Sequence, residues 1–192
     1  MNIQPQLIKD CKRGDRKAQF QLYKSCFNVL MAVCVRYQQN EEDAAASLNA
    51  GFWKILNNLD KYKPEVPFIA WIRRIMINTI IDEFRSNRKV KELIEYQDFT
   101  ENSNYTNLVD FNEADKQFDA ENLELLIQEL PPMSQKVFNL FAIDGFKHKE
   151  IADMLGISEG TSKWHLNFAR KKLQTRMKKM MNATKVVKKI ET

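Results

Sequence analysis

Glycine and proline are scarce in this chain, with five of each in 192 residues. An all-β sandwich needs turn residues at short regular intervals, so their scarcity argues against that class. Long apolar runs are missing as well. The longest, around Phe27 to Val35, is interrupted by Asn28 and is too short to cross a bilayer, so no direct membrane insertion is expected. The three cysteines, Cys11, Cys26 and Cys34, show no pair with the spacing of a zinc or redox motif, and no metal or cofactor is expected. Cys26 and Cys34 sit in apolar stretches and are expected as buried free thiols. The opening Met1-Asn2-Ile3-Gln4-Pro5 lacks a basic-then-apolar signal pattern, which points to a reducing cytoplasm. There is no Gly-rich phosphate loop, and the two histidines, His148 and His165, form no recognisable pair with a nucleophile. An enzyme therefore has little support.

What is present is helical. Hydrophobic residues make up 44% and charged residues 29%, as in globular proteins, and no strand pattern or internal repeat is visible. The net charge is +5, a balance permissive for nucleic acid. It is unevenly spread: the chain from Arg170 onward is rich in Lys and Arg, whereas Gln97 to Glu129 is acidic. The expected fold is all-α, with two helical bundles joined by a flexible linker. The boundaries are expected at 1–90 for the first domain, 91–118 for the acidic linker, 119–181 for the second domain and 182–192 for a basic tail.

In the first bundle, Gly14-Asp15 breaks or caps a short helix, and Arg16 to Tyr37 continues with Phe20, Tyr23, Phe27, Leu30, Met31 and Cys34 as its expected core stripe. Glu41 to Leu59 carries acidic residues at its start, where the helix dipole favours them. Ala44, Leu48, Phe52, Ile55 and Leu59 form its expected buried face. Gly51 reads as a weak point there, costing about 1 kcal/mol relative to Ala. Asp60 to Pro67 is a basic, aromatic loop stiffened by Pro64 and Pro67. In the helix that follows, from Phe68 to about Arg88, Trp71, Arg74, Asn78 and Arg85 fall on one stripe with Arg88 at its edge. That stripe fits a solvated face. Beside a loop carrying Lys61, Tyr62 and Lys63 it also fits a single-strand nucleic-acid site, because aromatics stack on unpaired bases while cations hold the backbone. Trp71 suits a core position equally well.

Lys89 to Asn112 shows no sustained period and reads as a linker. Glu113 to Glu129 and Met133 to Ile143 return to helical patterning, the second closed by Gly145. Lys149 to Leu155 is then a short helix with Ile151, Ala152 and Leu155 on one face. Gly156 suits a left-handed exit, and Ser158 suits an N-cap. The next helix buries Leu166, Ala169 and Leu173 and carries Lys163, Trp164, His165, Arg170, Lys171 and Lys172. This is a helix-turn-helix whose second helix suits a DNA major groove. A helical hairpin that merely packs is the plainer alternative. After Met180 the weak periodicity and many lysines suggest fraying.

Two segments resemble one family in order and spacing: the extracytoplasmic-function sigma factors of bacterial RNA polymerase. Tyr62 to Arg85 resembles the family's region two, through Phe68, Trp71, Arg74, Asn78, Asp82 and Arg85. Leu130 to Leu173 resembles region four, through Ile151-Ala152, Leu155-Gly156-Ile157-Ser158-Glu159-Gly160-Thr161 and Ala169-Arg170-Lys171-Lys172-Leu173. The resemblance implies a non-enzymatic specificity subunit that brings core RNA polymerase to promoter DNA. It assigns core-polymerase binding to Asp43, Leu48, Phe52, Trp53 and Leu56. It assigns capture of the melted minus-ten strand to Lys61, Tyr62, Lys63, Trp71, Arg74, Asn78, Arg85 and Arg88, with Asn78 lining a pocket for an extruded base. It assigns duplex reading of the minus-thirty-five element to Thr161, Lys163, Trp164, His165, Asn167 and Lys171. The acidic linker would thread the polymerase's nucleic-acid channels as an RNA mimic. Members of the family are often held inactive by an anti-sigma factor, which adds that protein as a candidate partner.

The chain departs from the family pattern in three places. Ala45, Ala46, Asn49 and Ala50 stand where acidic residues and a Gln-Glu pair are usual. Prolines stiffen the strand-capture loop. Trp164, His165 and Phe168 occupy a recognition helix where small or arginine residues are more usual. A dimeric helix-turn-helix regulator that is not a polymerase subunit is the alternative reading.

Overall fold

The structure, a computed structural model, describes residues 3–94 and 120–190, with side chains described over 3–88 and 123–180. The described residues form eight α-helices and no strand. The chain divides into two compact units, Met1–Ile94 and Glu95–Thr192. Residues 95–119, most of the expected linker, lie outside the described residues.

The first unit contains α1 (Pro5–Lys12), α2 (Arg16–Tyr37), α3 (Glu41–Asn57) and α4 (Phe68–Ile94). Gly14, at φ +83°, turns the chain between α1 and α2, a conformation open to glycine. Asp15 then caps α2, its Oδ1 accepting from the Lys17 and Ala18 amides at 2.8 and 3.1 Å. Asn40 caps α3 in the same way, accepting from the Asp43 amide at 2.8 Å while its Nδ2 donates to Asp43 Oδ2 at 2.9 Å. Caps of this kind contribute about 1 kcal/mol each.

The core lies among α2, α3 and α4, with Leu22, Leu30, Leu48, Ile55, Ile72, Met76 and Ile80 fully buried. The register of α2 differs from the sequence expectation. Leu22, Cys26, Leu30, Val33, Cys34 and Tyr37 face inward, whereas Phe20 is 63% exposed and Tyr23 and Phe27 are half-buried. Two apolar stripes with helical spacing run along this helix about 100° apart, and the one bearing smaller side chains lets α3 and α4 approach.

Gly51 also reads differently in three dimensions. A Cβ at this position would overlap the Sδ and Cε atoms of Met76, which is itself fully buried. The end of the Met76 side chain from α4 fills the space that this glycine leaves on α3. Cys34 Sγ lies 3.5 Å from Met76 Sδ, so α2 joins the same contact. Beside it, Gln38 donates to Ser47 Oγ at 2.7 Å and Ser47 donates to Glu83 Oε2 at 2.9 Å. This polar chain ties the same three helices. The three cysteines are free and buried, and burial pushes the Cys26 and Cys34 thiols up to about 12.

The second unit contains α5 (Ala120–Gln128), α6 (Pro132–Phe138), α7 (His148–Leu155) and α8 (Glu159–Ile190). Pro132 opens α6 at a first-turn position, where a missing N–H costs nothing. The helix expected to continue to Ile143 instead widens into a π turn over Asn139–Ile143, with the Asp144 amide donating to Asn139 O at 2.9 Å. Every residue from Ser134 to Leu140 is buried, Lys136 included, and burial pulls its ammonium down to about 8. Leu166, Ala169, Leu173 and Met177 of α8 and Ile151 and Leu155 of α7 are buried, and α8 packs against both α6 and α7. The helical backbone of α8 runs to Ile190, past the expected fraying point, as that of α4 runs past Arg88 to Ile94. Among the described residues no helix is long and apolar enough to cross a membrane.

Candidate nucleic-acid interface

In the first unit the chain between α3 and α4 is fixed by its own contacts. Leu59 is buried and anchors a 3-10 turn, Leu59–Lys61. The Tyr62 hydroxyl donates to Val66 O at 3.0 Å, closing the loop on itself. The Tyr62 ring meets Phe68 edge-on, centroids 5.1 Å apart, and Trp71 at 5.2 Å. Phe68 is buried, so it roots the cluster, while Tyr62 and Trp71 stay half-buried. Trp71 is therefore neither a core residue nor a free platform: it is held by two neighbours with part of its surface exposed. Lys61 and Lys63 are exposed beside it.

From this cluster α4 carries the expected stripe outward. Its inward residues, Ile72, Met76, Thr79 and Ile80, are buried, while Arg74, Asn78 and Arg85 are exposed and Arg88 is half-buried. Trp71, Asn78 and Arg85 follow one another at about 10 Å intervals by helix rise. Arg85 pairs with Asp82 at 3.6 Å, and Lys54 reaches the same carboxylate at 3.9 Å. Both pairs are solvated and add little stability.

The residues assigned to polymerase binding divide by burial. Leu48 and Phe52 are core, 1% and 8% exposed, and present little surface to a partner. Phe52 packs edge-on against Tyr23 at 5.0 Å. Leu56 is half-buried and Asp43 is exposed, its carboxylate engaged with Asn40. Trp53 is 65% exposed on the outward face of α3. Phe20, missed because the α2 stripe was placed in the wrong register, is the other large exposed aromatic of this unit, with Lys24 Nζ 5.6 Å from its centroid.

The helix-turn-helix forms as its sequence requires. Gly156 ends α7 at φ +65°, and the Ile157 amide donates back to Ala152 O at 3.1 Å. Ser158 Oγ accepts from the Thr161 amide at 2.9 Å and bonds the Thr161 hydroxyl at 2.8 Å. The Glu150 carboxylate accepts from the Lys147 amide at 2.9 Å at the start of α7.

Of the residues assigned to duplex reading, not all stand on the outward face. His165 is turned toward α6, its Nδ1 hydrogen-bonded to the buried Ser134 hydroxyl at 2.9 Å. Thr161 serves the cap. Lys163 is exposed on the α7 side and pairs with Glu159 at 3.3 Å. Trp164 and Asn167, half-buried, and Lys171, exposed, lie opposite the core. His148, unassigned from the sequence, is a second tether: its Nδ1 bonds Ser162 Oγ at 2.9 Å and its ring stacks on Phe141 at 4.5 Å. Its pKa is lowered by burial first and then by Lys163 and Arg170, against an opposing pull from Glu159.

The comparisons with known proteins match both units. The model of sigma-70 region 2 matches residues 22–90, and that of sigma-70 region 4 matches residues 120–173. Together they cover more than half of the chain. The ECF RNA polymerase sigma-E factor of Haemophilus influenzae is 22% identical over 181 residues, spanning 91% of this chain and 95% of that protein. The chain belongs to the extracytoplasmic-function sigma factors of RNA polymerase. A second relative of this sigma factor is the RNA polymerase sigma factor SigZ of Bacillus subtilis, 29% identical over 126 residues, spanning 64% of this chain and 66% of that one. Two solved structures are similar. One is CnrH in complex with the cytosolic domain of CnrY, at 22% identity, 90% and 95% coverage and TM-score 0.45. The other is the sigma factor RpoE in complex with the anti-sigma factor NepR from Bartonella quintana, at 17% identity, 82% and 97% coverage and TM-score 0.49. The region 2 match also decides against a dimeric helix-turn-helix regulator, which has no use for such a domain.

Proposed function

We propose that this sigma factor directs core RNA polymerase to its promoters by gripping two DNA elements with two separate units, acting in the cytoplasm and contributing no catalysis of its own. Residues 1–90 bind core polymerase and the minus-ten element, 91–118 form the linker, 119–181 bind the minus-thirty-five duplex, and 182–192 are a basic tail. Core polymerase docks on the outward face of α3, with Trp53 at its centre. The rings of Tyr62 and Trp71 stack on unpaired bases of the melted strand, and Asn78 hydrogen-bonds an extruded base. Lys61, Lys63, Arg74, Arg85 and Arg88 hold the backbone. Extruding a base costs a few kcal/mol of unstacking, which stacking and hydrogen bonding offset. In the other unit the outward face of α8 enters the major groove, with Lys171 holding phosphate. An anti-sigma factor is a further partner, in keeping with the habit of the family.

The observation that carries this reading is the outward stripe of α4. It joins an anchored aromatic cluster to exposed Arg74, Asn78 and Arg85 on one helix face, the combination single-strand binding uses. Permanganate reactivity of promoter thymines in the reconstituted holoenzyme tests it. Asn78→Ala is expected to lower reactivity around the minus-ten element about tenfold with core binding intact. Equal loss of both would make Asn78 structural and overturn the assignment.

A further inference from the structure

The outward face of α8 carries two aromatic rings where a reading helix meets base edges. At about 100° per residue, the buried Ser162, Leu166, Ala169 and Leu173 define the inward side. Trp164, Phe168 and Lys171 then fall on the opposite side, with Asn167 at its flank. Trp164 and Phe168, one turn apart and both half-buried, stack with centroids 5.4 Å apart and 17° between their planes. Together they form an apolar plate about one turn long.

The plate is held in place. Trp164 meets the edge of His165 at 4.8 Å and 82°, and His165 is fastened to Ser134 of α6. Lys172 Nζ lies 5.9 Å from the centroid of Phe168 at the other end. Thr161 is engaged with Ser158 in the cap, while Lys163 pairs with Glu159 in a solvated bridge that a phosphate can displace. No arginine occurs between Glu159 and Ala169, and Arg170 lies over Phe141, 5.7 Å from its centroid. Arginine is the commonest reader of guanine, so that contact is missing from the first three turns. Asn167 remains, and its amide matches the hydrogen-bonding edge of adenine.

The surrounding charge identifies the occupant. From Glu159 to Met180, α8 carries seven cations, Lys163, Arg170, Lys171, Lys172, Arg176, Lys178 and Lys179, against Glu159 alone. An apolar plate framed by cations complements a polyanion with an apolar edge between its phosphates. The thymine methyl in the major groove is the apolar group a duplex offers there.

We propose that the stacked Trp164–Phe168 plate reads the C5 methyl groups of thymines in the upstream element, with Asn167 taking an adjacent adenine. This inference rests on the placement of α8 in the major groove. It makes the upstream element A·T-specific beneath the second and third turns of α8.

The test uses holoenzyme reconstituted from core polymerase and the full chain. Promoters enriched from a library randomised over the upstream element are expected to carry A·T pairs at two or more adjacent positions. Replacing those thymines by deoxyuridine removes only the methyl groups and should weaken binding about fourfold per methyl. Trp164→Leu should bring the thymine-to-uridine ratio close to one, whatever it does to affinity. Upstream protection that is indifferent to deoxyuridine, or an enriched element of G·C pairs at those positions, overturns the methyl-reading inference while α8 stays in the groove. Absence of any upstream protection overturns both. A Trp164→Leu defect confined to protein–protein assembly, with the wild-type deoxyuridine ratio at one, makes the plate a docking surface and equally ends the proposal.

Discussion

The Nδ1 of His165 lies 2.9 Å from the Ser134 hydroxyl, so one of the residues assigned to duplex reading also ties α8 to α6. Ser134 is 1% exposed, and removing either partner leaves the other short of a bond in a partly dry setting. His165→Ala and Ser134→Ala are each expected to lower unfolding free energy by about 1 kcal/mol, and the double variant by less than their sum. Urea titration of the four proteins checks this. Additive losses would show that the two side chains do not act together.

At Gly51 helix propensity and packing oppose each other. Alanine would favour an isolated α3 by about 1 kcal/mol, but its Cβ would overlap the buried end of Met76. Overpacking of this kind costs roughly 1–3 kcal/mol. Gly51→Ala should therefore destabilise the first unit, and Gly51→Ala with Met76→Ala should be less destabilised than the two single changes added together. Thermal unfolding measures both, and a stabilised Gly51→Ala would show that the end of the Met76 side chain moves aside at little cost.

Trp53 and Leu48 lie on one helix and should respond in opposite ways. Leu48 is 1% exposed, so Leu48→Ala is expected to cost about 2–5 kcal/mol of stability. Trp53 is 65% exposed, so Trp53→Ala should leave stability within about 0.5 kcal/mol and weaken core-polymerase binding at least tenfold, as a buried interface anchor does. A competition assay for core polymerase separates the two effects. Unchanged binding by the Trp53 variant would move the docking surface elsewhere.

His148 is expected to contribute to the acid response of the helix-turn-helix. Burial, Lys163 and Arg170 lower its pKa below the ordinary 6.5, Glu159 opposing. Between the folded and unfolded values the unfolded chain binds more protons, so stability rises with pH across that window. The contribution is complete above 6.5 and is lost as pH falls through the depressed value. His148→Gln should flatten the pH dependence of unfolding below 6.5. Denaturant midpoints taken from pH 7 to pH 5 give the comparison, and an unchanged slope in the variant would assign the response to another group.

The helix-turn-helix was legible in the sequence because its determinants are local. Gly156 must adopt a left-handed turn and Ser158 must cap, and neither needs knowledge of distant residues. The exposed stripe of α4 was legible for the same reason, since one helix period places Arg74, Asn78 and Arg85. What sequence reading missed depends on partners. On α2, Phe20, Tyr23 and Phe27 have the spacing of a core face, as do Leu22, Cys26 and Val33, and only the approach of α3 and α4 chooses between them. Gly51 looked like a flaw until Met76 stood against it. The bond from His165 to Ser134 and the burial of Leu48 were not legible either, because chemical type and family pattern say nothing of Ser134 or of which side of α3 faces inward.

Under the proposed function, one chain grips promoter DNA at two points through separate units. Footprinting of the reconstituted holoenzyme tests it most directly, with DNase reporting duplex protection and permanganate reporting melted thymines on the same promoter. Two effects are expected to separate by mutation. Changes at Asn78 and Arg74 strongly lower downstream thymine reactivity and spare upstream protection, whereas changes at Trp164 and Asn167 weaken upstream protection and spare reactivity on a template melted in advance. Upstream protection by the chain without core polymerase, with no opening when core is added, would contradict it.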